Sequence, residues 1–226
     1  MTVEEKTRFC VIVPAYREEG RIGQVVREIH SYCSHVIVVD DGSTDGTAKE
    51  AEAAGAIVLK HPVNMGKGTA MNTGFKYAQD NGYEFLITMD GDGQHDPAEI
   101  PKFVEAYLNT GTPVLIGNRM DDPHAMPLVR RLTNRFMSRL LSRKMGQRVP
   151  DTQSGYRLYK CEVLSSISVE SARFAAESEI LLSLAERGVA IGAVGIKVIY
   201  RDEKSKIHPI TDTIRFYAML RRHKRT

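Results

Sequence analysis

Two carboxylates stand one residue apart at Asp90 and Asp92, where an apolar run stops. Like charges this close repel each other, so we expect a positive group between them. If both side chains leave an extended strand end, they point the same way and lie about 6–7 Å apart. A divalent cation prefers oxygen ligands, and Gln94 adds an amide oxygen at the next alternate position. The pattern predicts a metal site at these three residues; the alternative, an acidic cap for the next helix, is better served by Asp96.

A second acidic pair, Asp40 and Asp41, ends the run HVIVVDDGS. Two explanations stay open, since Asp, Gly and Ser favour turns, but acids at the end of a buried strand could also bind a nucleobase and a ribose. The stretch NMGKGTA has Gly68 where a P-loop requires Ser or Thr. In a helix's first turn, Lys67 opposes the helix dipole, so it either contacts an anion or lies exposed at a frayed end.

Short apolar runs alternate with helical patterns around these motifs. Strands are predicted at RFCVIVPAY, HVIVVDDGS, AIVLKHP, YEFLITMD and TPVLIGNR, with helices between them. Strands that are apolar on both faces and alternate with helices predict an α/β fold, with a parallel sheet between two helix layers. Ligands of such folds bind beyond the carboxyl ends of the strands, and polar residues follow four of these five strands. The sequence therefore predicts one polar site at one edge of the sheet.

The second half of the chain is less regular. It has a basic helix near 127–145, a loop GQRVPDTQSG, the segment YRLYK, a helix near 176–187 and a strand AIGAVGIKVIY. We find no internal repeat, low-complexity tract or linker in the 226 residues. We therefore predict a single domain over 1–226, divided into a first half of about 8–120 and a second half of about 121–226.

Four motifs together resemble a known family. The stretches VIVPAYREE, VVDDGSTDGT, NMGKGTAMNTGF and MDGDGQHDP are similar, in order and spacing, to the family-2 glycosyltransferases. The resemblance implies the GT-A fold, a Rossmann-like three-layer fold of nucleotide-diphospho-sugar transferases with a mostly parallel central sheet. Through GNR, DTQSGYRLYK and IYRDEKSKI it extends toward enzymes that glycosylate polyprenyl or dolichyl phosphate. One departure is Arg17, where the family often has Asn.

The resemblance also implies roles for single residues. The donor would be a nucleotide-sugar of the GDP-mannose or UDP-glucose type, with Asp41 at its base and Asp90 at its ribose or metal. Asp92 and Gln94, with Asp90, would hold Mg²⁺ or Mn²⁺, which would stabilise the charge that builds on the departing nucleoside diphosphate. The residues assigned to donor binding are Pro14, Ala15, Tyr16, Glu18, Asp41, Lys67 and Asp90.

The acceptor side is expected to be cationic. An inverting transferase with a phosphate monoester acceptor, whose second pKa is about 6, needs cations more than a base. By resemblance, Arg119, Arg130, Asn134 and Arg201 would face the phosphate groups, and Asp92, Arg119, Arg130 and Arg201 would be the catalytic set. Ser205–Ile207 is similar to a mobile loop that closes over the donor. A saccharide hydroxyl acceptor would instead need a base at Asp151 or Glu177, for which we favour structural roles.

Charge is distributed unevenly along the chain. Residues 128–148 carry seven cations and no acid, residues 213–226 carry five cations and no acid, and a net charge of +3 leaves −9 elsewhere. In the helix near 127–145, apolar residues share one arc bordered by arginines, which is typical of a membrane-interface helix; the alternative is a surface helix that packs this arc on the domain. The arc holds Leu128, Val129, Leu132, Phe136, Met137 and Leu140, and the bordering arginines are Arg131, Arg135, Arg139 and Arg143.

The sequence also bears on the location of the protein and on other classes of protein to which it could belong. Three scattered cysteines, an N-terminus without signal-peptide character and the lack of a long apolar run lead us to expect a cytoplasmic protein. The basic helix near 127–145 leads us to expect that it binds the inner, anionic membrane face peripherally. No nucleic-acid partner is expected, and the oligomeric state stays open. A sugar-phosphate nucleotidyltransferase would have a glycine-rich, arginine-bearing loop after the first strand, unlike PAYREE. A non-catalytic nucleotide-binding module stays open, although the retained acidic positions argue against it.

Overall fold

Seven strands form one sheet within the residues that the computed structural model describes, which are 7–120, 126–165, 167 and 174–197. The order across the sheet is β3-β2-β1-β4-β6-β5-β7. The strands are β1 (Phe9–Ala15), β2 (Val36–Asp40), β3 (Ile57–Lys60), β4 (Phe85–Thr88), β5 (Val114–Asn118), β6 (Arg157–Lys160) and β7 (Ile191–Gly195).

One strand runs against the others. β1 pairs in parallel with β2 and β4, β2 with β3, and β5 with β7, whereas β6 is antiparallel to both β4 and β5. The prediction of a mostly parallel sheet is confirmed, and the insertion of β6 between β4 and β5 is a feature that the alternating pattern did not reveal. Because β6 opposes both neighbours, β4 and β5 run the same way, and the segment leading into β6 arrives at their carboxyl ends.

Helices cover both faces of the sheet. Their apolar residues form two cores, one on each side of β1, where Cys10 and Ile12 face one core and Val11 and Val13 face the other. The first face carries α3 (Lys67–Asp80), α5 (Leu128–Met145), α6 (Cys161–Leu164) and α7 (Phe174–Glu186), and the second carries α1 (Ile22–Ile29), α2 (Thr47–Ala53) and α4 (Ile100–Thr110). The three layers follow from strands that are apolar on both sides.

The segment after the acidic turn is capped by Asp96, as predicted, but it starts as a 3₁₀ turn and not as an α-helix. The Asp96 carboxylate caps the chain by accepting a hydrogen bond from the Ala98 N–H. The capped element is a single 3₁₀ turn, Pro97–Glu99, and α4 begins only after it. Since Asp96 has this capping role, Asp90 and Asp92 are not needed for it.

Some sequence predictions lie outside the described residues. They include Arg201, the Ser205–Ile207 loop and the basic segment 213–226. Across the helices that the structure does describe, none combines the length and the apolar character that crossing a membrane requires.

Candidate active site

Four strand ends bring the polar residues to one edge of the sheet. β1 leads into Tyr16, β2 ends at Asp40, β4 leads into Asp90, and β5 leads into Arg119. The Asp41 N–H donates to the Ala15 carbonyl oxygen, which ties the ends of β1 and β2 together. The loop 151–156 joins the same edge because it precedes the antiparallel β6. The predicted convergence of polar residues is therefore confirmed.

The carboxylate of Asp41 is committed to the loop before α3. One oxygen accepts from His61 Nδ1 at 2.8 Å and from the Met65 N–H at 2.9 Å, and the other accepts from the Gly66 N–H at 2.7 Å. Its side chain is almost fully buried. In the structure Asp41 thus fixes the approach to Lys67, and its predicted contact with a nucleobase stays a prediction.

The turn after β1 contains a left-handed arginine. Arg17 has φ 56°, a region that Asn adopts more readily than Arg, so this departure from the family pattern costs about 1 kcal/mol. Its N–H donates to Ser43 Oγ, and its guanidinium lies 5.2 Å from the ring centre of the exposed Tyr16. The Glu18 N–H donates to Thr47 Oγ1, which joins this turn to α2.

Lys67 lies between two carboxylates. Its Nζ donates to Asp90 Oδ1 at 2.5 Å and to Glu177 Oε1 at 2.6 Å, so it is not an exposed lysine at a frayed helix end. Glu177 is almost fully buried, whereas about a third of the Asp90 side chain is exposed. The ion pair therefore links α3 and the end of β4 to α7, a contact between residues 110 positions apart that sequence spacing gives no signal for.

The electrostatics of these groups follow from burial and charge. Burial disfavours the charged form of Lys67, but the negative charges of the Asp90 and Glu177 carboxylates outweigh this effect and raise the pKa of Lys67. For Asp90 burial is likewise outweighed, first by Lys67 and then by weaker contributions that include Arg119, and its pKa is lowered. The pKa of Asp92 is raised, mainly by burial and then by the charge of Asp90. A cation at this turn would relieve that repulsion.

The turn that carries Asp90 and Asp92 is not extended. Asp92 Oδ1 accepts from the Gln94 N–H at 2.9 Å, as in an Asx turn, so the expectation of two side chains projecting from a continuous strand is wrong. His95, which the sequence analysis did not single out, accepts a hydrogen bond from the Asp90 N–H at Nδ1. Its ring stacks on Tyr156 at 5.0 Å, and burial lowers its pKa. A neutral His95 therefore holds the backbone of the acidic turn.

The acidic turn fits a hard divalent cation that is completed by a substrate. Over residues 7–120, 126–165 and 174–197, no three His, Cys, Asp or Glu side chains converge as a metal cluster. Mg²⁺, however, is commonly bound through one or two carboxylates together with substrate phosphates. Asp90 and Asp92 offer this donor set, and Gln94 lies two residues further along the chain. After burial, the charge of Asp90 is the next cause that raises the pKa of Asp92.

Arg119 forms a bidentate ion pair with Asp151. Nε and Nη2 donate to the two carboxylate oxygens at 2.6 and 2.8 Å, and both residues are buried. The pair joins the end of β5 to the loop before β6 at the same edge as Asp90. Asp151 is therefore occupied as the partner of Arg119, in line with the structural role favoured for it.

Arg157 is a buried cation that sequence reasoning missed. It is 0% exposed and donates to the carbonyl oxygens of Ser154, Thr152 and Glu177 and to the Tyr159 hydroxyl. A signal was present, because an arginine within the apolar segment YRLYK must find buried acceptors if that segment is a strand. Arg157 thereby fixes the 152–154 loop against the start of α7.

The face of α5 that packs against the core carries both polar and apolar residues. Its buried residues are Asn134, Ser138, Leu141 and Met145, and Arg130 is half-buried. Met137 and Leu140 pack against the core, as the surface-helix alternative predicts. The other four residues of the predicted arc, Leu128, Val129, Leu132 and Phe136, are 56–77% exposed. Arg135, Arg139 and Arg143 are exposed as well.

Comparison with known proteins identifies the family. The model of glycosyl transferase family 2 matches residues 10–168. The chain belongs to this glycosyltransferase family. A UDP-N-acetylglucosamine–dolichyl-phosphate N-acetylglucosaminyltransferase from Methanococcus voltae is 33% identical over 85% of this chain and 86% of the relative. Polyprenol monophosphomannose synthase from Mycolicibacterium smegmatis is 31% identical over 75% of this chain and 68% of the relative.

Solved structures show the fold of the family-2 chain. Glucosyl-3-phosphoglycerate synthase from Mycobacterium tuberculosis, in complex with UDP, matches with a TM-score of 0.77 and 24% identity. The match covers 98% of this chain and 81% of the synthase. The expected GT-A fold is thereby confirmed, and the protein is a glycosyltransferase.

Proposed function

We propose that this glycosyltransferase moves a sugar from a nucleotide-sugar to a polyprenyl or dolichyl phosphate. The observation that carries the proposal is the placement of a cationic and an acidic group at one edge of the sheet. β5 leads into Arg119 and β4 leads into Asp90, and the two strands run the same way on either side of β6. An anionic acceptor can therefore approach the sugar beside the proposed donor site. Both named relatives carry a polyprenol-type lipid phosphate in their names, which supports this acceptor class.

On the donor side, Asp90, Asp92 and Gln94 would hold Mg²⁺ or Mn²⁺. The bound cation would supply Lewis-acid stabilisation of the negative charge on the leaving diphosphate. Structures of the mycobacterial synthase contain UDP with Mn²⁺ or with Mg²⁺, which supports a divalent cation here. The last residues of β1 and the turns after β1 and β2 would hold the nucleoside through Pro14, Ala15, Tyr16, Glu18 and Asp41. Lys67 would stand at the diphosphate.

On the acceptor side, the reaction would be an inverting displacement. An acceptor phosphate oxygen attacks the anomeric carbon from the face opposite the diphosphate. The bond between that carbon and the diphosphate oxygen breaks, and its electron pair leaves with the nucleoside diphosphate. Arg119, Arg130 and Asn134 would orient the acceptor phosphate, and Arg201, outside the described residues, would join them.

The engaged carboxylates favour a phosphate over a hydroxyl acceptor. A hydroxyl needs a base within hydrogen-bond reach, whereas a phosphate monoester is already anionic at neutral pH. Glu177 accepts from Lys67, and Asp151 accepts from Arg119 in a bidentate pair. Each carboxylate is buried and would have to give up a charged partner to act as a base, which is costly.

The exposed side of α5 would bind the cytoplasmic face of the membrane. Its first turns present Leu128, Val129, Leu132 and Phe136, and its later turns present Arg135, Arg139 and Arg143. Apolar side chains that enter the interface and arginines that meet anionic headgroups are the two contributions to peripheral binding. A lipid-phosphate acceptor resides in that same layer, so this contact would bring the enzyme to its substrate.

Transfer assays on a donor and acceptor panel test the proposal. UDP-glucose, UDP-N-acetylglucosamine and GDP-mannose are each incubated with Mn²⁺ and either a polyprenyl phosphate or water-soluble saccharides, and products are identified by mass spectrometry. We expect a glycosylated lipid phosphate from at least one donor. Asp92→Asn should lose transfer at least a hundredfold, while Asp80→Asn, an exposed control on α3, should keep it. Products on saccharides alone would contradict the lipid-phosphate acceptor.

A further inference from the structure

One ammonium is held by two carboxylates from opposite halves of the chain. Lys67 Nζ lies 2.5 Å from Asp90 Oδ1 and 2.6 Å from Glu177 Oε1. Gly155 lies directly against both acids, because a Cβ at this position would be 2.8 Å from Glu177 Oε1 and 3.0 Å from Asp90 Oδ2. Asp90, Glu177 and Lys67 are thus packed around one point at the sheet edge, and the absence of a side chain at position 155 leaves space for the two carboxylates.

Asp90 is also one of the proposed cation ligands. We propose that Lys67 is the counter-cation of Asp90 in the donor-free protein, that it competes with the divalent cation for this carboxylate, and that Glu177 is the positioning residue that keeps Lys67 when the cation binds. The inference rests on the proposed cation site. A metal ion and an ammonium on one carboxylate repel each other, and the long, flexible lysine side chain can leave Asp90 while it stays paired with Glu177.

The charges around Lys67 predict two opposite effects. Asp90, Asp92 and Glu177 together carry three negative charges when ionised, and Lys67 reduces this to two, which one divalent cation balances. Without Lys67 the acidic turn attracts a free cation more strongly. Once a nucleoside diphosphate is bound, the anion adjoins the same ammonium, so loss of Lys67 weakens nucleotide binding. A lysine that only supports the fold would not produce opposite signs.

Calorimetry on Lys67→Gln tests the competition. Glutamine removes the charge but can still donate a hydrogen bond to Glu177, and Lys67→Met serves as a second variant if Lys67→Gln does not fold. We expect Mn²⁺ alone to bind about tenfold more tightly than to the wild type, and UDP or GDP at saturating Mn²⁺ to bind about tenfold more weakly. The control Lys76→Met removes an exposed lysine of the same helix and should change neither affinity.

A double-mutant cycle tests the role of Glu177. Glu177→Gln in the wild type should weaken Mn²⁺ binding, because Lys67 loses its second partner and stays on Asp90. The same change in the Lys67→Gln background should have an effect smaller by at least threefold. Additive effects would overturn the positioning role of Glu177.

The outcomes separate this inference from the proposed function. A wild-type protein that binds neither Mn²⁺ alone nor UDP or GDP in the presence of Mn²⁺ overturns the cation site and with it this inference, whereas the transfer assays decide the lipid-phosphate acceptor independently. A wild type that binds both, together with a folded Lys67→Gln variant whose Mn²⁺ affinity is unchanged or weaker, overturns the competition alone. Tighter Mn²⁺ binding with weaker nucleotide binding supports it.

Discussion

At the scale of single residues, the Arg119–Asp151 pair fixes the orientation of a guanidinium, and losing one partner of the pair would lower the stability of the protein. A buried ion pair contributes little compared with a well-packed apolar pair, but a buried charge that loses its partner is strongly destabilising. Both residues are buried at the edge of the site, and their two short hydrogen bonds fix the guanidinium plane. A site that must orient an anion has a reason to keep such a pair despite its modest net stability.

Breaking this pair from one side should cost more than removing it. Asp151→Asn is expected to lower the free energy of unfolding by about 3 kcal/mol, because Arg119 keeps its charge in a buried place. The double variant Arg119→Met with Asp151→Asn should recover part of that loss in stability. It should still lack transfer, because it has no Arg119 to orient the acceptor phosphate. Urea unfolding with parallel transfer assays measures both. If the double variant loses as much free energy of unfolding as Arg119→Met and Asp151→Asn lose together when measured singly, the two residues are not coupled.

The buried thiols predict a loss of stability at alkaline pH. Burial raises the pKa of Cys161 to about 12 and also raises the pKa of Cys10, whereas a cysteine in the unfolded chain has a pKa of about 8.5. Above that pH the unfolded chain has released protons that the folded protein still holds, so stability falls as pH rises. Each thiol should contribute a slope of about 1.4 kcal/mol per pH unit between about pH 9 and 10. Unfolding of Cys161→Ala across this range should show a slope shallower by that amount; an unchanged slope would contradict the assignment.

At the scale of elements, α5 has two sides with different surroundings. Its buried side, which includes Leu141 at 0% exposure, packs against the core. Its opposite side exposes four large apolar residues that a helix made only for packing would turn inward. The sequence predicted the helix and its apolar arc, but the arc proved to be divided between the core and the exposed surface. Periodicity alone cannot make that division, because it does not show which neighbours the helix meets.

Substitutions on the two sides of α5 should have different consequences. Leu132→Ser with Phe136→Ser removes exposed apolar surface, so the free energy of unfolding should change by less than about 1 kcal/mol. Binding to vesicles of anionic phospholipid should weaken about a hundredfold, since each apolar side chain contributes about 1.5–3 kcal/mol when buried. Leu141→Ala should cost about 2–5 kcal/mol of stability and leave vesicle binding of the folded protein unchanged. Vesicle flotation and urea unfolding measure these effects; flotation of the double serine variant like the wild type would contradict membrane insertion.

At the scale of the whole molecule, the sequence pattern predicted the strands, helices and layers of the fold better than the contacts that join distant parts of the chain. Apolar strands with helices between them led directly to the α/β layers and to the polar edge, because each of these features is local along the chain. The placement of β6 between β4 and β5, the Lys67–Glu177 pair and the support of Asp90 by His95 all join distant or turn-bound groups. Such contacts depend on how the elements pack, for which composition and periodicity carry no information.

The charge asymmetry of the chain gives the last prediction. An acidic body with seven cations in residues 128–148 should bind an anionic bilayer through that segment rather than through its net charge of +3. Changing Arg135, Arg139 and Arg143 to Glu alters the charge by −6, and each arginine near an anionic surface contributes about 1 kcal/mol. Vesicle binding should therefore fall by at least a hundredfold, whereas the affinity for UDP or GDP with Mn²⁺ should hold. The matched control reverses three exposed cations on other helices, Arg27, Lys49 and Lys76, with the same net change. Because those residues lie outside α5, the control should keep most of its vesicle binding; equal losses in both variants would show that net charge, and not this face, determines the attraction.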